Sequence, residues 1–520
     1  MKKKPSFIPY NQDQITFLPP SLEDLIPENH VVRMVNKAID NINLSGLLAK
    51  YEGGGRSSYN PVMMLKIIIY AYIDRVFSCR RIEKACRENV MYMWLSGGAT
   101  PDFITINRFR GERMKDVLLD VFTEIVALLT QEGYIKLENY FLDGTKIEAN
   151  ANKYSWVWGK STKRYKENLR IKCAELFAEI EKENDDENAE YGDRNLEELG
   201  TGNEINSEAI KASAEKINEK LLREPKNRKL KKAKRLIERD YLPRMEKYEK
   251  QEEILAERRS YSKTDKDATF MRMKEDHMKN GQLKPGYNVQ IGTEDQFVLN
   301  YSIHQRPGDT SCMIEHLERA KEVLGKLPEN ICADAGYGSE ENYEYLKGAK
   351  VNNYVKYNTF HKEDTKKWKV DITKVQNWEY DERADEYICG YGRRLVFVYE
   401  KTDKSENGYK SIVRVYRGTD CGDCPHRDIC VKSKKPGYNR QIYINRRLNA
   451  LKTEAKDNLK SKKGLELRSK RPVDVESVFG NIKGNFETRR FQLRGLEKVN
   501  IEWGLICIAH NIRKMAAVKA

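Results

Sequence analysis

The stretch Arg471-Pro472-Val473-Asp474-Val475-Glu476-Ser477-Val478-Phe479-Gly480-Asn481-Ile482-Lys483, running on to Phe486, decides how the rest of the chain reads. Val475, Val478, Phe479, Ile482 and Phe486 recur at helical spacing, so they form one apolar stripe that must pack against a partner. Pro472 stands where a helix can begin. At about 100° per residue, Glu476 and Lys483 fall on the same edge of the stripe. A carboxylate and an ammonium beside a buried face suit the grip of a metal ion and of a phosphate. Within this segment alone, a solvated pair of surface charges has the same pattern.

Two further stretches favour the first reading. Tyr140-Phe141-Leu142-Asp143-Gly144-Thr145 is an apolar run that reads as a buried strand ending in an acid and a glycine. Asn330-Ile331-Cys332-Ala333-Asp334-Ala335-Gly336-Tyr337-Gly338 repeats the arrangement. Any one of 79 acidic residues is most simply surface. Acids at the tips of adjacent strands, however, converge on one place, and like charges crowd together only around a cation. Two Mg²⁺ ions held this way activate an attacking oxygen and stabilise a leaving one in phosphoryl transfer.

On these residues the chain resembles the DDE transposases of bacterial insertion sequences. The resemblance implies an α/β fold: a ribonuclease-H-like mixed sheet with flanking helices, an N-terminal helical domain and two insertions. It implies that Asp143, Asp334 and Glu476 hold two Mg²⁺ (or Mn²⁺) ions, and that Arg471 and Lys483 contact phosphate near the scissile bond. The Tyr that many relatives carry just ahead of the Arg has no counterpart, since Leu467-Arg468-Ser469-Lys470 stands there. The implied reaction is cleavage at the ends of a mobile element, followed by attack of the freed 3′-hydroxyl on target DNA. The implied partners are double-stranded DNA, at element ends and target, and a second copy of the chain in a homodimeric synaptic complex. Two other readings stay open: a nuclease of the same fold that cleaves without joining, and a transposase-derived DNA-binding protein that no longer catalyses.

With 94 Lys and Arg against 79 Asp and Glu, the 520-residue chain carries a formal charge of +15, a balance that favours a polyanionic partner. Met1-Lys2-Lys3-Lys4-Pro5 leads into Ser6, Pro9 and Asn11 rather than an apolar segment, and runs such as Ile67 to Ile73 are too short to span a membrane. The expectation is a cytoplasmic protein, nucleoid-associated when bound to DNA, whose ten cysteines are thiols or metal ligands.

In chain order, residues 1–135 read as an N-terminal helical domain, for which the resemblance implies binding of DNA ends, a packed bundle with solvated arginines being the plainer reading. A Pro-rich arm leads to a helix over Val31 to Ala49, a break at Gly53-Gly54-Gly55, a helical run from Pro61 to Ser96 and a last helix ending near Glu132, with Arg80, Arg81, Arg108 and Arg110 as exposed cations. Residues 136–520 read as the catalytic domain. A helical insertion at 160–265, with an acidic interruption from Asp185 to Gly202 and breaks at Pro225 and Pro243, projects from the sheet. Tyr287 to Ile291 and Phe297 to Ile303 read as a hairpin, followed by a helix from Thr310 to Leu324, a helix near Ser339 to Leu346, and a strand at Asn353 to Tyr357. Lys284-Pro285-Gly286-Tyr287-Asn288 resembles a further stretch of the family.

The second insertion, 358–465, is basic and contains Cys421-Gly422-Asp423-Cys424-Pro425, Cys430 and Cys389-Gly390-Tyr391-Gly392. Cys389, Cys421, Cys424 and Cys430 fit a closed structural Zn²⁺ site, with His426 as a substitute ligand; free thiols are the competing reading. Trp368 and Trp378 suit packing better than stacking on an unpaired base. The basic run Lys432 to Lys470, with Lys434, Lys435, Arg440, Arg446, Arg447, Lys462 and Lys463, reads as a surface for backbone phosphates, and Arg489-Arg490-Phe491 extends it. A final helix from Val499 to Met515 is expected to pack on the sheet.

Overall fold

A computed structural model describes residues 21–51, 58–191, 205–273, 281–433, 435 and 437–519, with the backbone alone over 181–191. The extended arm before residue 21, Gly53-Gly54-Gly55, most of the acidic interruption and Lys434 lie outside the described residues.

The apolar run around Tyr140 forms the middle of the sheet. Strand β1 (Asn139–Glu148) continues past Asp143. After the short ribbon β2 (Trp156–Trp158) with β3 (Ser260–Ser262) come β4 (Thr269–Arg272), β5 (Leu283–Glu294), β6 (Phe297–His304), β7 (Asn330–Ala333) and β8 (Asn352–Val355). The sheet order is β4-β5-β1-β7-β8, and β6 also pairs with β5. Neighbours β6, β5 and β1 are antiparallel, whereas β1, β7 and β8 are parallel. This is a ribonuclease-H-like mixed sheet with flanking helices, as expected.

The run at Tyr140 does not end at Asp143; the strand continues through Lys146 to Glu148. Tyr140, Phe141 and Leu142 are all buried, but from Thr145 onward the burial alternates, because the parallel partner β7 stops at Ala333, opposite Leu142. The hairpin joining β5 to β6 turns at Asp295 and Gln296, both at positive φ (50° and 65°), the geometry of a two-residue turn that follows the strand twist. Just before it, the Glu294 carboxylate accepts backbone N–H bonds from Lys136, Leu137, Glu138 and Asn139 at 2.6–2.9 Å and so fixes the start of β1.

Helices Val31–Asp40, Ser45–Leu48, Pro61–Ile73, Cys79–Glu88, Val90–Leu95, Phe103–Arg108 and Leu118–Gln131 precede the sheet. The expected helix from Val31 to Ala49 is thus two helices, parted at Asn41 to Leu44. Pro61 at the first helical position, with the Asn60 side chain accepting from Val62 and Met63 N–H, starts the helix Pro61–Ile73. The helix Leu496–Lys519, with Trp503, Leu505, Ile506 and Ile508 fully or nearly fully buried, lies between Pro61–Ile73 and β6. One continuous apolar core therefore joins the N-terminal helices to the sheet.

The first insertion contains helices Gly159–Tyr191, Ser207–Arg223, Arg228–Leu236 and Leu242–Leu255 around a core of its own, including Leu169, Phe177, Ile210, Ile217, Ile237 and Met245. Pro225 breaks the chain as expected. Pro243 does not, because it falls in the first turn of Leu242–Leu255, which the wider turn Ile237–Tyr241 joins to Arg228–Leu236. The second insertion forms an antiparallel sheet, β9 (Glu379–Asp381), β10 (Glu386–Ile388), β11 (Arg394–Lys404), β12 (Lys410–Gly418) and β13 (Gln441–Ile444). From it, helices Arg446–Lys460 and Lys462–Arg471, capped by Asn445 and Ser461, lead back to the main sheet. No helix among the described residues is long and apolar enough to cross a membrane.

Candidate active site

The helix Lys462–Arg471 does not stop at Pro472; it widens into a π-helical turn, Pro472–Glu476, then continues through Ser477–Gly480 and a second wide turn, Asn481–Asn485. Proline inside a helix lacks an N–H and clashes with the preceding turn, and a locally wider helix accommodates it. The predicted stripe is the packed face: Val475, Val478, Ile482, Phe479 and Phe486 are all 6% exposed or less. The turn Pro472–Glu476 lies against β1 and β5. Asp474, which sequence reasoning passed over, fastens it there by accepting from the Thr293 hydroxyl and, at 3.1 Å, from the Gln296 N–H. Burial pushes the Asp474 carboxyl above its usual range.

Arg471, at the start of this turn, donates to Asp143 across 3.1 Å, with the two side chains only 8% and 14% exposed. Lys483 donates to the Thr145 hydroxyl at 2.8 Å. Asp143 and Thr145 lie two apart on β1 and share a face, so one helical segment delivers both predicted cations to the strand that carries the predicted acid.

Asp334 follows directly on β7. Since Leu142 pairs with Ala333, Asp143 and Asp334 stand at the next step of two adjacent parallel strands. Asp334 accepts from the Gly336 N–H at 2.8 Å and caps the short turn Ala335–Tyr337. Two hard carboxylate oxygen donors side by side suit a divalent cation such as Mg²⁺. Glu476 ends the turn that lies on β1 and is exposed to solvent. The structure sets Asp143 and Asp334 on neighbouring strands, with Glu476 on the turn packed against β1. Among the described residues no group of three or more His, Cys, Asp or Glu side chains is placed to hold a metal ion.

Several neighbours escaped the sequence reading because only the tertiary fold gathers them. Lys356, just after β8, is held below the usual lysine range by burial and by Arg471 and Arg468, against the pull of Asp334. Tyr337 is fully buried, and burial together with Asp309, Asp143 and Asp334 pushes its hydroxyl well above the usual range, so it keeps its proton. The site therefore sets carboxylates among cations, an arrangement suited to a metal ion and a phosphodiester together.

Other predicted residues divide. Cys430 is pushed up by burial and further by Cys389, Cys421 and Cys424, which stand near enough to act on it, while Arg440 pulls it down. None of the four is in a disulfide, and the His426 ring packs edge-on against Tyr391 at 5.0 Å. Trp378 is buried and donates to the Ile372 carbonyl at 2.6 Å, whereas Lys374 sits over the Trp368 ring at 4.8 Å; both tryptophans pack against protein. Arg110 is not an exposed cation: it is 5% exposed and donates to the Phe77 carbonyl at 2.8 Å. Arg80, Arg81 and Arg108 are exposed. Along the basic run, Arg446 pairs with Asp385 at 2.9 Å and Arg447 with Glu344, so these cations serve intramolecular contacts.

Comparison with protein families matches residues 388–516 to the Transposase DDE domain and residues 20–112 to a Transposase domain (DUF772). Both matches are to transposase domains, consistent with a DDE transposase of insertion sequences. Arg471, Glu476 and Lys483 fall within the first match, while Asp143 and Asp334 precede it in the chain. No curated protein and no solved structure matches the chain.

Proposed function

We propose that the chain is a transposase that cuts a phosphodiester at the end of a mobile element and joins the freed 3′-hydroxyl to target double-stranded DNA. The observation that carries the reading is the placement of Asp143 and Asp334 on adjacent strands with Arg471 and Lys483 delivered to the same strand by one helical segment. Asp143 and Asp334 would hold two Mg²⁺ or Mn²⁺ ions and Glu476 would complete their ligands. Such ions, when bound, neutralise the carboxylates and lower the cost of charge on the attacking and leaving oxygens. Arg471 and Lys483 would orient the phosphate, with Lys356 adding positive charge beside Asp334.

Residues 1–135, with Arg80, Arg81 and Arg108, would bind element ends, and residues 136–520 would form the catalytic domain around the insertions 160–265 and 358–465. The working form would be a homodimer bringing two ends together on DNA in the cytoplasm. Cys389, Cys421, Cys424 and Cys430 would hold a structural Zn²⁺, which supports the second insertion and takes no part in the chemistry.

The test is cleavage of an end-containing duplex in Mg²⁺. Asp143→Asn and Asp334→Asn should each lower the cleavage rate by about 100-fold or more, with DNA binding kept. Wild-type nicking and joining by Asp334→Asn would contradict the assignment, and cleavage without joined product would leave a nuclease instead.

A further inference from the structure

Gly144 and Gln290 face each other across the β1–β5 pair, on the side of the sheet away from Asp143 and Thr145. A Cβ at Gly144 would lie 2.1 Å from Gln290 Nε2, so the missing side chain is the space that the Gln290 amide fills. That amide is fully buried and every partner is polar. Its Nε2 donates to Asn288 Oδ1 and to Asp309 Oδ1, each at 3.0 Å, and its Oε1 accepts from the Tyr337 hydroxyl. Asn288 donates to the same Asp309 oxygen at 2.8 Å.

Tyr337 ends the short turn that begins at Asp334. The turn is held twice more. Asn342, 1% exposed, donates to the Tyr337 carbonyl at 2.7 Å and to the Thr310 carbonyl at 2.9 Å, and the Thr310 hydroxyl donates to the Gly336 carbonyl. The Gln290 amide thus ties the strand opposite Asp143 both to the turn that carries Asp334 and to the loop that carries Asp309.

A network in which every buried amide and hydroxyl is paired resists displacement, because breaking one bond strands another polar group without water. Resting on the metal-dependent reading above, we infer that Gln290 is a positioning residue: through Tyr337 it fixes the Asp334 turn against β1, at the separation from Asp143 that a shared divalent cation needs. Asp309 anchors the amide from the far side.

Tyr337→Phe removes one oxygen and keeps the ring packing, and Gln290→Met keeps the length of the side chain without its hydrogen bonds. The measurement is Mn²⁺ binding to the full-length protein without DNA, followed by the electron paramagnetic resonance of free Mn²⁺. Each variant should weaken Mn²⁺ binding about 10-fold, in the range seen when groups that orient metal ligands are lost. The double variant should be no weaker than Gln290→Met alone, since the one bond that Tyr337→Phe breaks is already lost with the Gln290 amide. In cleavage assays the effect should fall on the Mn²⁺ concentration for half-maximal rate rather than on the rate at saturation. Wild-type Mn²⁺ affinity in a Tyr337→Phe protein of unchanged thermal stability overturns this inference while leaving the catalytic reading in place. Failure of the wild-type protein to bind Mn²⁺ in an Asp143-dependent way overturns both.

Discussion

The Arg471 guanidinium and the Asp143 carboxylate meet at 3.1 Å with little water around either. Removing one member of such a pair leaves a charge withdrawn from solvent without its partner, which costs about 3 kcal/mol or more. Arg471→Met should therefore lower the unfolding free energy by that order in urea denaturation, and the double variant Arg471→Met with Asp143→Asn should lose less than the sum of the two single changes. Additivity would show that the pair is not coupled. Asp143, Asp334, Glu476 and Lys483 stood out in the sequence as candidates because each interrupts or flanks an apolar run, a local signal, and Arg471 through the resemblance alone. Asp309, Gln290, Asp474 and Lys356 were not, because their neighbours come from other strands and loops, and a polar residue in a strand reads simply as the strand's wet side.

At the scale of elements, the helix from Lys462 shows where periodicity succeeds and where it fails. The stripe from Val475 to Phe486 was readable because burial obeys helical spacing, and all five residues are buried. The two π-helical turns were not, since a one-residue widening leaves no mark on composition. The limits of β1 were misread for a related reason: burial on both faces gives way to alternation where β7 stops, and that change resembles the end of a strand.

The same helical segment is tied to the rest of the fold by His510, which donates from Nε2 to the Gln296 carbonyl at 2.9 Å and accepts from Asn481 at 2.8 Å. Burial lowers its pKa to about 4, helped by Lys514 and Arg513 and opposed by the Gln296 carbonyl. The unfolded chain takes up a proton near the ordinary value of 6.5 and the folded chain only near 4, so stability falls as pH drops through this window. The loss attributable to His510 is on the order of 3 kcal/mol. His510→Gln should flatten the decline of Tm between those pH values; an unchanged slope would show that the imidazole is not held neutral.

At the scale of the whole molecule, two bodies of different kinds hang on one sheet. The N-terminal helices share the core of the sheet, and the helix Leu496–Lys519 lies between them, so neither side keeps its packing without the other. The first insertion has its own core, and its ends meet where the Gly159 N–H donates to the Arg259 carbonyl at 2.9 Å. Replacing residues 160–258 with a short Gly-Ser linker should leave a chain that unfolds cooperatively and still binds Mn²⁺, as seen by calorimetry and metal titration. Collapse of the sheet on deletion would show that the insertion supports it. Alternating apolar strands and charge-rich helices made the α/β class and both insertions readable; the sharing of one core across the N-terminal boundary was not, since contacts between segments far apart in sequence leave no periodic trace.

The central claim is that Asp143 and Asp334 form a metal site where the parallel pairing of β1 and β7 ends. The most direct test is anomalous diffraction from crystals of the full chain soaked in Mn²⁺. A Mn²⁺ peak within ligand distance of both carboxylates, with the Arg471 guanidinium moved off Asp143, is the predicted result. Mn²⁺ bound elsewhere, with Arg471 still on Asp143 and no peak between the two acids, would contradict it.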